Sequence, residues 1–245
     1  FLIEDLLGRE IIEPHNELLI KNIKSKTILV TGAGGTIGAE LSRQILKIKP
    51  KKLILFELNE FALFKIHEEL SDIYKNLEII PLLGNILDQN KLEKVFKTFK
   101  IDTVYHAAAY KHVPLVEANI CEGVKNNVLG TLSVAEAAIN EKVKNLVLIS
   151  TDKAVRPTNV MGVSKRFAEI CLQVYKEKSL LTNLSIVRFG NVLDSSGSVI
   201  PKFKKQIIEG GPVTLTHNDV TRYFMTVPEA AQLVIQAGAL ANAPA

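Results

Sequence analysis

Residues 27 to 38 read Thr-Ile-Leu-Val-Thr-Gly-Ala-Gly-Gly-Thr-Ile-Gly. The apolar run from Ile28 to Val30 ends at Thr31. Glycines follow at Gly32, Gly35 and Gly38, with an extra one at Gly34, and a helical pattern then begins with Ile37, Leu41, Ile45 and Ile48. This order predicts a strand, a tight turn and a helix start. Glycine supplies the backbone angles of such a turn and lets a ligand approach the main chain. The helix start presents unpaired N–H groups and a partial positive charge, which suit a pyrophosphate. A bare glycine pattern also occurs in ordinary strand–helix turns, so its surroundings decide. A second strand, Lys52 to Phe56, runs into Glu57, 19 residues after Gly38. An acidic residue at that distance accepts hydrogen bonds from an adenosine ribose. The stretch therefore reads as a dinucleotide site, with Gly32, Gly35, Thr36, Ile37 and Gly38 at the diphosphate and Glu57 at the ribose. A carboxylate repels a 2′-phosphate, so the expected cofactor is NAD rather than NADP.

Working outward, the pattern alternates. Asn59 is placed to cap a helix running to Tyr74. Leu77 to Leu83 reads as a third strand, ending in Gly84-Asn85-Ile86-Leu87-Asp88, where Asn85 and Ile86 would meet an adenine edge. Asp88 is placed to cap a helix to Phe99. Further strands are expected at Thr103–Ala107, Leu146–Thr151 and Leu184–Phe189, with helices at Asn119–Asn140 and Val160–Lys178 between them. Alternation of this kind means βαβ crossovers and a parallel sheet, with the ligand site at the carboxyl ends of the strands. Ala107 and Ala108, small residues at the end of strand four, leave room for a nicotinamide ring. Strand five ends in Ser150-Thr151-Asp152-Lys153 and strand six in Arg188-Phe189-Gly190-Asn191. Beyond Asn191 the pattern breaks: a lysine-rich helix lies near Val199–Glu209, and Pro228 suits the first turn of a last helix. The expected fold is α/β, a Rossmann-like doubly wound parallel sheet with a small C-terminal substrate-binding region. Its expected divisions are an N-terminal arm at 1–23, the NAD-binding unit at 24–190 and the substrate region at 191–245. The final Ala-Asn-Ala-Pro-Ala is unlike a natural domain end, so truncation is expected there.

Composition narrows the class. The 245 residues are 47% hydrophobic, ample for a core, and no apolar run reaches the roughly 18 residues that cross a bilayer. Lysine and arginine number 30 against 26 acidic residues, a net charge of +4 that predicts no nucleic-acid partner. The two cysteines, Cys121 and Cys171, are too few and too far apart for a disulfide framework. They read as reduced thiols in a cytoplasmic compartment.

With the glycine turn, Thr151-Asp152-Lys153 and Lys165 in place, the sequence resembles the extended short-chain dehydrogenase/reductases. Within them it is similar to the nucleotide-sugar 4,6-dehydratases, and in particular to UDP-N-acetylglucosamine 4,6-dehydratases of the PglF type. The specific segments are Ala107 to Pro114 (AAAYKHVP), Ser150 to Arg166 (STDKAVRPTNVMGVSKR) and Arg188 to Pro201 (RFGNVLDSSGSVIP). The resemblance implies an internal redox cycle on a UDP-sugar: hydride leaves sugar C4 for NAD, the C6 hydroxyl is eliminated, and the hydride returns to C6. It also implies a homo-oligomer formed through the two long helices. Relatives carry membrane helices and further C-terminal sequence, so the full-length protein is expected on the cytoplasmic face of the inner membrane.

One departure bears on the chemistry. Most short-chain dehydrogenases have tyrosine four residues before the lysine, where Met161 stands here. Methionine cannot exchange the catalytic proton, although the PglF-like group carries methionine at this place. The elimination needs an acid and a base. Asp152 is expected as the acid and Lys153 as the base, both tuned by burial. Helix capping or a surface ion pair is the competing reading of this pair. Lys165 is expected on the nicotinamide ribose, Thr151 on the C4 hydroxyl, and Asn127 on backbone or water near the site. Lys111 and His112 are candidates on the substrate side. Asn191, Lys202 and Arg222 are candidates for the sugar diphosphate, arginine offering a planar fork for phosphate oxygens. No spacing suggests a metal site.

Overall fold

Ile28 and Val30 face one side of the sheet and Leu29 the other, because side chains alternate along a strand. Leu53 and Leu55 join the first face, and Ile54 and Phe56 the second. This double burial is what a parallel sheet covered on both sides requires. The computed structural model describes residues 7, 9–10, 13–179, 181–193, 199–215, 217, 219 and 223–241.

Six parallel strands form the sheet: β1 (Thr27–Thr31), β2 (Lys52–Glu57), β3 (Glu78–Leu83), β4 (Thr103–His106), β5 (Asn145–Thr151) and β6 (Asn183–Phe189), in the order β3-β2-β1-β4-β5-β6. The order reverses between β1 and β4, which opens the crevice where ligands bind in such sheets. Strand boundaries differ from the sequence reading by a residue. Pro81, which lacks an N–H, sits on the edge strand β3.

One layer holds α2 (Thr36–Lys47), α3 (Glu60–Ile73) and α10 (Val227–Leu240), and the other holds α4 (Gln89–Phe99), α7 (Gly130–Asn140) and α8 (Val160–Lys178). The expected caps are present: Asn59 accepts from the Ala62 N–H at 2.9 Å and Asp88 from the Lys91 N–H at 3.0 Å. The helix read as continuous from Asn119 to Asn140 is instead divided. Ahead of it α5 spans Val113–Ala118. Then α6 (Ile120–Val124), a π-turn (Lys125–Leu129) and α7 follow. The π-turn turns Asn126 and Asn127 inward, an interruption typical of functional positions.

Toward the C-terminus lie a two-stranded pair, β7 (Asn191–Val192) with β8 (Phe224–Met225), and the exposed helix α9 (Val199–Ile208). The last helix belongs to the sheet layer. The Gln44 side chain on α2 donates to the Pro228 carbonyl at 3.0 Å, and α10 also receives the N-terminal helix α1 (Asn16–Lys21). There the His15 N–H donates to Gln236 Oε1 at 2.9 Å and Asn22 Nδ2 to the Gly238 carbonyl at 3.1 Å. The N-terminal arm thus closes on the end of the described chain. Among the described residues no helix is long and apolar enough to cross a membrane.

Candidate active site

Gly32 has a φ of +66°, and a Cβ there would lie 2.6 Å from the Ala108 nitrogen. Only glycine lets the turn after β1 close against the chain leaving β4. Gly38 is bound as tightly, since its Cβ would fall 2.0 Å from the Gly32 carbonyl oxygen. Gly35 differs. It is the exposed N-cap of α2, its φ of −74° suits any residue, and a Cβ there would meet only the Gly32 oxygen, at 3.3 Å. Its open side faces a cleft of about 520 Å³ lined by Gly32, Thr36, Ile37 and Gly38. This is a cradle at a helix start that a side chain would fill, the arrangement a diphosphate needs.

The cleft continues both ways across Ala107, Ala109 and Tyr110. Toward β2 it reaches Glu57, Asn85, Ile86 and Ala108 in a space of about 300 Å³. The Glu57 carboxylate is held by three backbone amides, those of Gly34 at 2.9 Å, Leu58 at 2.9 Å and Asn59 at 3.0 Å. It therefore braces the glycine turn and keeps one lone pair, on Oε2, for a further donor. Asn85 Oδ1 accepts from the Leu87 N–H at 2.9 Å, which commits that oxygen to its own turn.

Toward β5 and β6 a space of about 260 Å³ is lined by Lys111, His112, Thr151, Lys153, Met161, Lys165 and Asn191. Lys165 is 5% exposed and donates to the Ile149 carbonyl at 2.7 Å. Burial pulls its pKa down to about 8, while the Glu169 carboxylate one turn along the helix opposes the shift. Gly162 brings α8 this close, since a Cβ there would lie 2.4 Å from the Lys153 carbonyl oxygen. Met161 is buried beside it. Lys111 stands at the cleft mouth, where partial loss of water holds its ammonium below the ordinary lysine value. His112 is the N-cap of α5 and makes no side-chain cap bond.

The triplet after β5 is less enclosed than the sequence suggested. The side chains of Asp152 and Lys153 are 50% and 35% exposed and pair at 3.1 Å. The burial expected for the pair is not present: both residues stand on a three-residue 3₁₀ turn, Asp152–Ala154, that follows β5. Asp152 Oδ1 also accepts from the Thr151 hydroxyl at 3.0 Å, and Lys153 Nζ donates to Asn191 Oδ1 at 3.1 Å. Thr151, Lys153 and Asn191 line this space, and Asp152, which lines none of the three, stands behind them, bonded to Thr151 and Lys153. Lys202, exposed on α9, lines none of the three spaces, and Arg222 lies outside the described residues.

Behind the cleft runs a polar network of which the sequence reading held only Asn127, expected there on backbone or water. His106 is buried between the hydroxyls of Thr31, at 2.6 Å, and Thr131, at 3.0 Å. Thr131 donates to the Asn127 carbonyl at 2.7 Å, so its oxygen accepts from His106 Nε2 and Thr31 donates to Nδ1. Burial, with Lys165 nearby, pushes the imidazole down to about 3, so it is neutral near pH 7. Asn127 then clasps Tyr110 by both backbone groups, at 2.8 and 3.0 Å, and donates to Ser164 at 3.0 Å. The NNVLGT segment held the signal for this, but only its π-turn aims Asn127 at Tyr110. Among the described residues no cluster of His, Cys, Asp and Glu has the geometry of a metal site.

A family model described as "Polysaccharide biosynthesis protein" matches residues 28–244. The chain belongs to this family. Its members are extended short-chain dehydrogenase/reductases that modify nucleotide sugars. The chain is 52% identical over 241 residues to the capsular polysaccharide biosynthesis protein CapD of Staphylococcus aureus, covering 98% of this chain and 40% of that protein. It is 36% identical over 220 residues to a UDP-glucose 4-epimerase of Rickettsia massiliae, 86% of this chain and 62% of the relative. The solved structure of Pen from Bacillus thuringiensis superposes with a TM-score of 0.83 at 39% identity, covering 89% of this chain and 66% of that one. The chain therefore spans about two fifths of the length of CapD.

Proposed function

We propose that this polysaccharide-biosynthesis chain is the NAD-dependent catalytic part of a UDP-N-acetylglucosamine 4,6-dehydratase. The observation that carries the reading is the hydrogen-bonded chain Thr151–Asp152–Lys153–Asn191, whose Thr151, Lys153 and Asn191 line the space that also contains Lys165 and Met161 and whose Asp152 sits directly behind Thr151 and Lys153. Removing water across C5 and C6 needs a proton donor and a proton acceptor side by side, and Asp152 with Lys153 supplies both types.

NAD fits the cleft: the open face of Gly35 and the start of α2 suit its diphosphate, Glu57 its adenosine ribose, and Lys165 its nicotinamide ribose. Bound there, it would supply a reversible hydride acceptor. The protein's own work is positional. Lys165 keeps N–H groups toward the cleft beyond the one spent on Ile149, Thr151 meets the C4 hydroxyl, and Asn191 Oδ1 fixes the position of Lys153 Nζ by accepting a hydrogen bond from it, which a neutral amine still donates. Lys111 and His112 line the same space as contacts for the sugar nucleotide, and Lys202 and Arg222 stay candidates for its diphosphate on their residue type alone.

A C4 epimerase is the second reading, supported by the 36% identity to a UDP-glucose 4-epimerase. An epimerase has no use for the Asp152–Lys153 pair. Incubation with UDP-N-acetylglucosamine followed by mass spectrometry separates the two: the product is one water lighter for the dehydratase and unchanged in mass, with inverted C4, for the epimerase.

Glu57 makes NADP the weaker ligand, since a 2′-phosphate would meet a carboxylate already fixed by three amides. Glu57→Ala is expected to weaken NAD binding and bring the affinities for the two nucleotides together. Equal affinity of the unmutated protein for both in equilibrium dialysis would contradict this.

The homo-oligomer contact is proposed on α8, where Val163, Phe167, Ile170 and Val174 form an exposed apolar stripe, each 41–52% accessible. Phe167→Glu is expected to lower the mass measured by sedimentation to that of one chain, and an unchanged oligomer would exclude this face.

A further inference from the structure

Glu169 is 0% exposed and belongs to none of the three cleft walls, yet one of its partners, Ser150, lines the space at the ends of β5 and β6. Its Oε1 accepts from the Ser150 hydroxyl at 2.5 Å and from Arg188 Nε at 2.8 Å. Its Oε2 accepts from Arg166 at 3.0 Å and from the second arm of the Arg188 fork. Ser150 and Arg188 are register partners on β5 and β6. Ser150 directly precedes Thr151, and Arg188 lies three residues before Asn191. Lys165, one helical turn before Glu169, reaches the Ile149 carbonyl next to Ser150. Two adjacent residues at the end of β5 are therefore held by two side chains one turn apart on α8. A buried carboxylate without partners would be strongly unfavourable. Here both oxygens are occupied, and Arg188 supplies a two-point fork.

We infer that Glu169 is a positioning residue for the cleft: its buried carboxylate holds the ends of β5 and β6 against α8 and supplies the counter-charge for Lys165. This rests on the reading of the cleft as a sugar-nucleotide site. The same carboxylate acts in two ways. Mechanically, it sets where Thr151 and Asn191 stand, through Ser150 and Arg188. Electrostatically, it opposes the loss of the Lys165 proton that burial favours. The charged and titratable groups around Lys165 are few enough to assign. From α8 they are Arg166 and Glu169, from α5 the exposed Glu117, which accepts from the Val160 N–H at the α8 start, from β4 and the chain after it His106, Tyr110, Lys111 and His112, from the β5 end Asp152 and Lys153, and from β6 Arg188. His106 is neutral near pH 7, and the lysines and arginines only lower the Lys165 pKa. Asp152 is half exposed and committed to Lys153. Glu169 is thus the buried anion of the group.

The test uses lysine side-chain NMR of the whole chain carrying ¹³C-lysine, with the Lys165 signal assigned by its loss in Lys165→Arg. The unmutated signal is expected to titrate at about pH 8. Glu169→Gln keeps the shape and removes the charge, so the midpoint is expected to fall by roughly 1 unit. Arg188→Gln relieves Glu169 of a cation and is expected to move the midpoint upward. It also serves if Glu169→Gln does not fold. Shifts of opposite sign support the inference, because a purely structural role would not invert with the sign of the charge removed. An unmoved midpoint in folded Glu169→Gln, or in Arg188→Gln, overturns it. No sugar nucleotide enters this measurement, so its outcome is separate from that of the mass experiment.

Discussion

Asp152→Asn is expected to abolish both the absorbance of reduced nicotinamide that follows substrate addition and the formation of product. With Met161 where a proton acceptor would ordinarily stand, another group must take the C4 hydroxyl proton. Lys165 is a poor choice while it is an ammonium donating to the Ile149 carbonyl. Asp152 is the better hypothesis, because after taking that proton it becomes the acid that the departing C6 hydroxyl requires. The geometry adds a route. Thr151 lines the cleft and donates to Asp152 Oδ1 at 3.0 Å, so the proton can pass from the sugar to Thr151 and on to Asp152. Each positioned acid or base contributes ~10²–10⁴-fold, and asparagine removes both roles while keeping the shape. Thr151→Val should reproduce the loss of the first step. The decisive measurement is a single-turnover absorbance trace. Reduced nicotinamide appearing at the unmutated rate in Asp152→Asn, with elimination blocked, would restrict Asp152 to the acid role.

Gly35→Ala and Gly38→Ala are expected to fail in opposite ways. At Gly38 the new methyl would sit 2.0 Å from the Gly32 carbonyl oxygen and 2.8 Å from its carbon, both backbone atoms at the foot of α2. The helix must move off the turn, and overpacking of this kind costs roughly 1–3 kcal/mol or more. Thermal unfolding should therefore drop sharply. At Gly35, which lines the cleft, the backbone is already in a region open to alanine, and the methyl would meet one atom, the Gly32 carbonyl oxygen, at 3.3 Å. Stability should hold within roughly 0.5 kcal/mol, as for other exposed positions, while nucleotide affinity collapses because the methyl occupies the cradle. Calorimetry and nucleotide titration on the two variants check this. Full nucleotide affinity in Gly35→Ala would place the diphosphate elsewhere.

What was legible in the sequence was local. The Ile28–Val30 run, the glycine spacing and Glu57 each encode a backbone geometry within a few residues, so strand, turn, helix start and the acidic strand end were readable together. The caps at Asn59 and Asp88 were equally local, since an N-cap side chain bonds an amide two or three positions on. Thr151 and Asn191 were legible because strand ends converge in a doubly wound sheet, whereas Lys165, inside α8, was read from the family resemblance.

The tertiary structure decided whatever depends on remote segments meeting. The π-turn that breaks Asn119–Asn140 aims Asn127 at Tyr110, and no helical period in the sequence announces it. Asp152 and Lys153 stand half-exposed on the 3₁₀ turn after β5, which sequence spacing treats as strand end. The last helix read as part of a substrate region packs beside α2, because its apolar face completes the sheet layer. Glu169 is the plainest case. In sequence it is an ordinary helical glutamate four residues after a lysine. Only the β5–β6 register brings Ser150 and Arg188 to it, and burial among those partners turns a surface charge into the counter-ion of the site.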